Sequence, residues 1–542
     1  MPDWLHRRIP IPLPAPALAL LVAAFLLPGL VGHAPWKTED AVGFGVLWQM
    51  LENGGWLTPR LAGEPWFDDG PLYFWVAAAF VKALGFALAP HDAARFASAL
   101  FVLLALWFVR LASRELYGRV QGDLSALAFL GCVGLMWHAH EVAAETAMLA
   151  GVAAAYYGLA IAHKKPLKGG LVFGIGAVVA FLAKGVPALA HPLLAALLVL
   201  PLSAFVHART YAIAVAIGLA VLAPFAFGWP LLLRAVAPQY FEGWMAWQWA
   251  ALAGGATTGS TLDLLKLLSW AAWPTWPLTL WACWAYRRHL RDPGFAVPFV
   301  GTVVAFALLG LAGVNREMDA LGILVPLAIP AGSAAIALRR GAANALTWFS
   351  LMTFSLIAAV SWFMWFAMMT GVPERTYRNV MKLVPGFEPS FHWLPFTVAV
   401  LLTAAWAVLI ARCDRSTLRS VPFWAAGMTL AWGIATTIWL PWIDHGKSYA
   451  TVGAGLARAL PQKFACIESR GLGETQRAAF HYHAGVVTLR AETHGRTRCP
   501  YLLVQAVASE PAADPGREWR RVWDGARPRD REHYRLYRRV GG

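Results

Sequence analysis

The chain has 542 residues, 58% of them hydrophobic and 14% charged, with 45 Lys and Arg against 30 Asp and Glu. A water-soluble domain carries about a quarter of its residues as charges, so this composition excludes a soluble enzyme and calls for a bilayer to accept the apolar area. The net charge of +15 does not imply a nucleic-acid partner, because many of the basic residues sit in short loops between apolar runs, where they orient helices. The basic tail retains an attraction for anionic lipid headgroups.

In chain order, an apolar run from Leu13 to Gly32 comes after His6-Arg7-Arg8 and reads as an uncleaved first span. The polar stretch Trp36–Trp75 is next and holds Glu39, Asp40, Glu52, Glu64, Asp68 and Asp69. Carboxylates are scarce beside hydrocarbon, so a cluster at the mouth of a membrane domain is a site hypothesis. Thr38 is placed to cap a helix running from Glu39 towards Asn53, with the two acids in its first turn. Gly54-Gly55 ends that helix, and Pro59, Pro65 and Pro71 keep the next stretch of chain extended. Asp68-Asp69-Gly70-Pro71 is a tight turn before Tyr73-Phe74-Trp75, either an interfacial aromatic belt alone or a second acidic contact near the first.

Twelve further apolar runs lie beyond it, at 94–112, 122–137, 143–163, 169–183, 186–206, 211–232, 263–285, 295–313, 320–338, 345–369, 393–411 and 421–441. Skipping the apolar segment 72–89 makes alternate loops collect the Arg and Lys, which is the positive-inside pattern with a cytoplasmic N-terminus. Segment 72–89 is therefore expected to lie in the interface or re-enter rather than span. Stretch 36–75, loops 234–262 and 371–392 and the whole tail then share the outer face. From Trp442 the charges rise and short patterns alternate. Helices near 448–460 and 474–483, with strands at 464–468, 486–490, 501–507, 519–523 and 534–538, predict a small α/β domain. It carries no GxGxxG, P-loop, nucleophile elbow or HExxH motif, so a covering or docking role is expected. Cys466 and Cys499 fall in this tail, where a bridge or two free thiols are both open.

Four features bear on chemistry. Glu39 and Asp40 stand close after the first span, where a carboxylate can take a proton from an attacking hydroxyl or amine. His138-Ala139-His140-Glu141 and then Glu145 stand at the ends of two runs. That spacing is a weak metal signal, and Glu145 is better read as a second acid converging on the first. Lys184, between two apolar runs, and Arg316 need anionic partners, which a lipid-linked phosphate would supply. The aromatic loop Gln239–Trp249, with Tyr240, suits a lipid chain or sugar ring.

The acidic pair, GGWLTPRLAGEPWFDDGPLYFW, and FLAKGVPALAHP further on resemble the bacterial lipid A aminoarabinose transferases. More broadly they are similar to the C-type membrane glycosyltransferases that include protein O-mannosyltransferases. Two departures stand out. The family's Glu-Lys-Pro-Pro turn is here Asp68-Asp69-Gly70-Pro71, and the Arg that comes shortly after its acidic pair is missing, with Val42 and Gly43 in its place. The resemblance implies an all-α polytopic membrane domain (1–441) of about thirteen spans, whose outer loop 33–93 carries the acidic motif and interfacial helices. A periplasmic α/β domain (442–542) completes it. The chain is then expected to be a multi-pass protein of the bacterial inner membrane that moves a sugar from a polyprenyl-phosphate donor to a glycolipid, polysaccharide or protein acceptor. Glu39, Asp40 and Glu145 are the expected catalytic acids, and Asp68, Asp69, Tyr73, Lys184, Tyr240 and Arg316 the expected substrate contacts. No cofactor is required, and a divalent metal is not indicated. A polytopic lipid or sugar transporter or flippase is the competing reading; it calls for mid-bilayer charges and internal repeats.

Overall fold

The structure, a computed structural model, describes residues 13–202, 208–254, 259–314, 316–495, 497–507 and 515–540. Arg7-Arg8, the end of run 186–206 and Asn315 lie outside the described residues.

The chain opens with α1 (Ala15–Leu26), then α2 (Glu39–Asn53), which begins and ends where the acids and Gly54-Gly55 predict. Thr38 does not cap it: its side chain makes no capping bond. Asp40 in the first turn instead bonds back to the N–H of Trp36, ahead of the helix, and fixes how the chain enters it. A two-residue hairpin, β1 (Arg60–Leu61) and β2 (Glu64–Pro65), leads to α3 (Leu72–Leu84). At 13 residues, α3 is too short to cross about 30 Å of hydrocarbon, as the charge pattern requires.

Next come α4 (Pro90–Tyr117), α5 (Arg119–Leu130), α6 (Val133–His138), α7 (Ala144–Ile161) and α8 (Pro166–Leu202). Run 122–137 is thus two short helices, broken at Gly131-Cys132. Helix α8 is in fact two arms joined at Lys184 and Gly185, whose backbone is non-helical. Gly158 and Gly151 of α7 pack on Gly169/Phe173 and Gly176/Ala180, so the first arm runs antiparallel to α7. Gly170 and Gly174 meet Ala214/Ile217 and Gly218/Val221 of α9 (Ala208–Val236), which runs parallel to that arm. The second arm must therefore return from Lys184 to the start of α9. Tyr156 to His191 (2.9 Å) and Tyr211 to the Ala196 carbonyl (3.3 Å) hold it there. Runs 169–183 and 186–206 form a hairpin with its fold at the rim.

The rest comprises α10 (Pro238–Ala253), α11 (Thr261–Ala271), α12 (Thr275–Ala285), α13 (Pro293–Leu311), α14 (Glu317–Ala320), α15 (Leu324–Ala337), α16 (Arg340–Thr370), α17 (Glu374–Leu383), α18 (Trp393–Arg412), α19 (Ser420–Ala435) and α20 (Leu440–Lys447). Run 263–285 breaks at Trp273-Pro274, and run 421–441 bends by 66° between α19 and α20. Among the described residues, eight helices are long and apolar enough to cross a membrane, or nine with the bent pair counted as one. This is a multi-pass membrane protein.

The tail folds as α21 (Ala450–Ala459), β3 (Ile467–Arg470), α22 (Glu474–Ala484), β4 (Leu489–Arg490), α23 (Ala491–His494), β5 (Tyr501–Val507), β6 (Trp519–Ala526) and β7 (Glu532–Arg539). The sheet order is β4-β3-β5-β7-β6, parallel from β4 to β5 and antiparallel beyond. Cys466 and Cys499 are disulfide-bonded beside β3.

This α/β unit sits on the outer loop. Tyr482 of α22 packs edge-on against Phe44 and Trp48 of α2. Glu64 takes Arg477 and Arg490, at 2.8 and 3.1 Å, and Lys37 meets Glu532 at 2.7 Å. The starts of α2, α7 and α14, the turn after β2 and the fold of α8 all gather at the rim beneath it.

Candidate active site

Lys184 stands at the fold of α8, where Gly185 has φ +71° and a side chain would collide with Gln248 of α10. Gln248 Oε1 accepts the freed N–H of Val186 at 2.8 Å. The Lys184 ammonium donates to Glu145 Oε1 (2.8 Å), Asp69 Oδ1 (2.9 Å) and Asp68 Oδ2 (3.0 Å). The turn can approach this closely because Gly70 lies against the Leu182 carbonyl and donates its N–H to Ala183 O, at 2.7 Å. Arg316 pairs with Asp319 at 2.8 Å and reaches Asp68 at 3.6 Å. Glu145 thus meets the acidic stretch at Asp68 and Asp69, through Lys184, and the anionic partners of Lys184 in the structure are these carboxylates.

Four carboxylates, Asp68, Asp69, Glu145 and Asp319, thus face two cations. The consequence is legible at the turn. Burial raises the Asp69 carboxyl to about 7 against the pull of Lys184, with the nearby charges of Glu145 and Asp68 adding to the rise. At Asp68 burial is outweighed by Lys184 and Arg316, which hold its carboxyl below the usual range. Asp68, Glu145 and Asp319 present oxygens within 4.8 Å of one another. These residues could hold a divalent cation, in competition with the ammonium already bonded to two of them.

A cavity of about 570 Å³ opens beside this cluster, walled by Asp68, Lys184, Arg316 and Asp319 at its polar end. Trp66, Phe67, Trp247 and apolar residues of α7, α8 and α13 form the remainder. A charged end joined to an apolar cleft fits an amphiphile with an anionic head.

The two acids of α2 divide sharply. Asp40 is 1% exposed and Arg95 fully buried. Arg95 gives Asp40 two bonds, at 2.7 and 3.3 Å, and a third to Asp92 at 2.9 Å. Asp40 also accepts the Val142 N–H at 2.8 Å. Burial opposes its charge, but Arg95 prevails and holds its carboxyl below the ordinary range. Asp40 is an anchor joining α2, α4 and the segment before α7. Glu39 is half-buried, and burial pushes its carboxyl up; Glu141 and Glu145 add to this while Arg316 and His138 oppose it. Asp40 is thus taken up by Arg95, whereas Glu39 is left out of that network and lies within reach of the charges of Glu141, Glu145 and Arg316.

Two predicted contacts are corrected. Tyr73 is fully buried in the helix core, bonded to Ser98 at 2.7 Å, and packs rather than binds. Tyr240 stacks near Phe67 and donates to the Trp66 carbonyl at 2.6 Å, so it positions the cavity wall. Sequence reasoning missed Arg95, which pairs with Asp40 from 55 residues away. Trp247 of the expected aromatic loop and His191 of the FLAKGVPALAHP stretch line the cavity with Asp319, although sequence reasoning gave none of the three a role of its own.

Residues 68–228, under a third of the chain, match the family described as dolichyl-phosphate-mannose-protein mannosyltransferase. The crystal structure of ArnT from Cupriavidus metallidurans bound to undecaprenyl phosphate is similar over 97% of both chains, at 17% identity and a TM-score of 0.69. The apo form of that protein is similar over 96% of both, at 17% identity and a TM-score of 0.67. No curated protein sequence matches the chain. The fold is that of the C-type membrane glycosyltransferases. The segment that matches the family includes Asp68, Asp69, Glu145 and Lys184.

Proposed function

We propose that this chain transfers a sugar from a polyprenyl-phosphate donor to an acceptor at the periplasmic face of a bacterial inner membrane, with Glu39 as the general base. The donor's phosphate lies at the polar end of the cavity and its chain along the apolar wall. Glu39 takes the proton of the acceptor nucleophile, which attacks the anomeric carbon as the bond to the donor phosphate breaks. Lys184 and Arg316 offset the charge of the departing phosphate. Asp68, Asp69 and Glu145 hold the ammonium in place, and Asp40 holds the α2 start. This scheme requires no metal. Topology is supported by the positive-inside charge pattern and by the Cys466–Cys499 bridge, which suits an oxidising compartment. The tail, 442–542, then covers the site from the periplasm.

The observation that carries the reading is the Lys184 ammonium at a helix fold, inside an acid cluster that walls a cavity with apolar sides. The test is mass spectrometry of envelope glycolipids from cells with and without the protein, and with Glu39→Gln. A glycolipid present only with the unaltered chain is expected. An envelope unchanged by deletion, together with no release of polyprenyl phosphate by the purified chain, would refute it.

A further inference from the structure

A second cavity, of about 470 Å³, opens beside the start of α2, away from Lys184. Three parts of the chain wall it: Lys37 and Thr38 ahead of α2, Gly446 and Lys447 at the end of α20, and Arg527 to Asp530 in the turn between β6 and β7. Four cations and one carboxylate face this recess. Two cations are answered, Lys37 by Glu532 and Arg527 by Asp530. Among the described residues, neither Lys447 nor Arg529 has a carboxylate within ion-pair distance. The Lys447 ammonium lies 4.3 Å from the centre of the Trp137 ring and 5.4 Å from that of Trp36. Arg529 donates only to the Lys382 carbonyl of α17, at 3.1 Å.

Cations without an ion pair usually stand free in water, and Lys447 feels the Glu141 carboxylate only from beyond that distance. Lys447 and Arg529 share a recess with two more cations, and Lys447 is half-buried between indole rings. Such a recess repels cations and gains from an anion that bridges its walls. Two unanswered cations match the charge of a phosphate monoester near pH 7, about −1.5 to −2. The position is as informative as the charge. Thr38 lines the recess and the next residue is Glu39, so a group anchored here lies beside the start of α2 that carries Glu39.

We propose that this recess is an acceptor subsite, which binds a phosphate monoester carried by the acceptor and so holds the acceptor's nucleophile against Glu39. It rests on the transferase reading for its purpose, though not for the binding itself. The α/β unit supplies half of the recess, which gives that unit a role in acceptor recognition beyond covering the site.

The test is native mass spectrometry of the full chain in detergent with phosphatidic acid, phosphatidylcholine or glucose 1-phosphate, and separately with undecaprenyl phosphate. Phosphatidic acid should be retained over phosphatidylcholine, and the K447Q/R529Q double variant should weaken it about tenfold or more. The charge-preserving K447R/R529K variant should retain it, which separates charge from folding. Glucose 1-phosphate bound with the same variant dependence also supports the subsite and points to a soluble acceptor. Equal retention of the two lipids with no variant-sensitive sugar phosphate, or a K447Q/R529Q chain that binds as the parent does, overturns it. Undecaprenyl phosphate reports on the other cavity: its failure to bind counts against the donor reading and leaves this subsite standing.

Discussion

Replacing Glu39 and Asp40 separately divides catalysis from scaffolding. Asp40 accepts four hydrogen bonds, from Arg95 at 2.7 and 3.3 Å, Val142 N–H at 2.8 Å and Trp36 N–H at 3.2 Å. Asp40→Asn keeps the shape but removes the charge opposite a guanidinium that no water reaches, and it turns an NH₂ towards a donor. Breaking one partner out of a buried ion pair costs about 3–5 kcal/mol. Asp92 and the His33 and Ala34 carbonyls still hold Arg95, so the lower end of that range, about 3 kcal/mol, is expected. Glu39→Gln removes a half-exposed carboxylate that is not part of the Arg95 ion-pair network, and the fold should be unaffected. Loss of a general base lowers turnover about 10²–10⁴-fold. Thermal unfolding in detergent and single-turnover transfer, normalised to folded protein, measure the two effects. A stable, inactive Asp40→Asn beside an active Glu39→Gln would reverse the assignment and refute the reasoning from burial.

The two raised carboxyls predict opposed pH dependences. Protonating Asp69 removes a negative charge from the cluster that meets the donor, so donor affinity should rise as pH falls through about 7, and Asp69→Asn should abolish that dependence in a binding titration. The folded chain holds this proton more tightly than the unfolded chain, so the group also adds stability as pH falls from about 7 towards 4. Glu39 must be ionised to act, so kcat should fall as pH drops through a value above the usual carboxylate range, a limb that Glu39→Gln removes. Lys184→Met leaves Asp69 and Glu145 without their cation and Asp68 with Arg316 alone; donor binding should weaken by at least about tenfold in a lipid-binding assay, and Lys184→Arg should restore it only in part, since a planar fork does not replace a point charge. Cys466→Ser opens a closure of 33 residues and should cost the α/β unit about 3–4 kcal/mol, seen as proteolysis of the tail at lower temperature with the helices intact.

The sequence alone determined the medium, the class of architecture and the neighbourhood of the site. Apolar runs, basic loops and acid scarcity are additive properties of composition and order, and they respond to the bilayer one segment at a time. They were enough to keep 72–89 from being read as a span and to mark Glu39, Asp68, Asp69, Glu145, Lys184 and Arg316. Tertiary structure decided the rest, because a charge's role depends on what faces it across space. It turned Asp40 into a buried anchor by bringing up Arg95, placed Lys184 among three carboxylates by folding α8 back on itself, and packed Tyr73 away from any ligand. It also joined Lys37, Lys447 and Arg529 into one recess, although hundreds of residues separate the first from the last. No local pattern encodes such a meeting; only the packing of helices and the seating of the α/β unit on α2 bring it about.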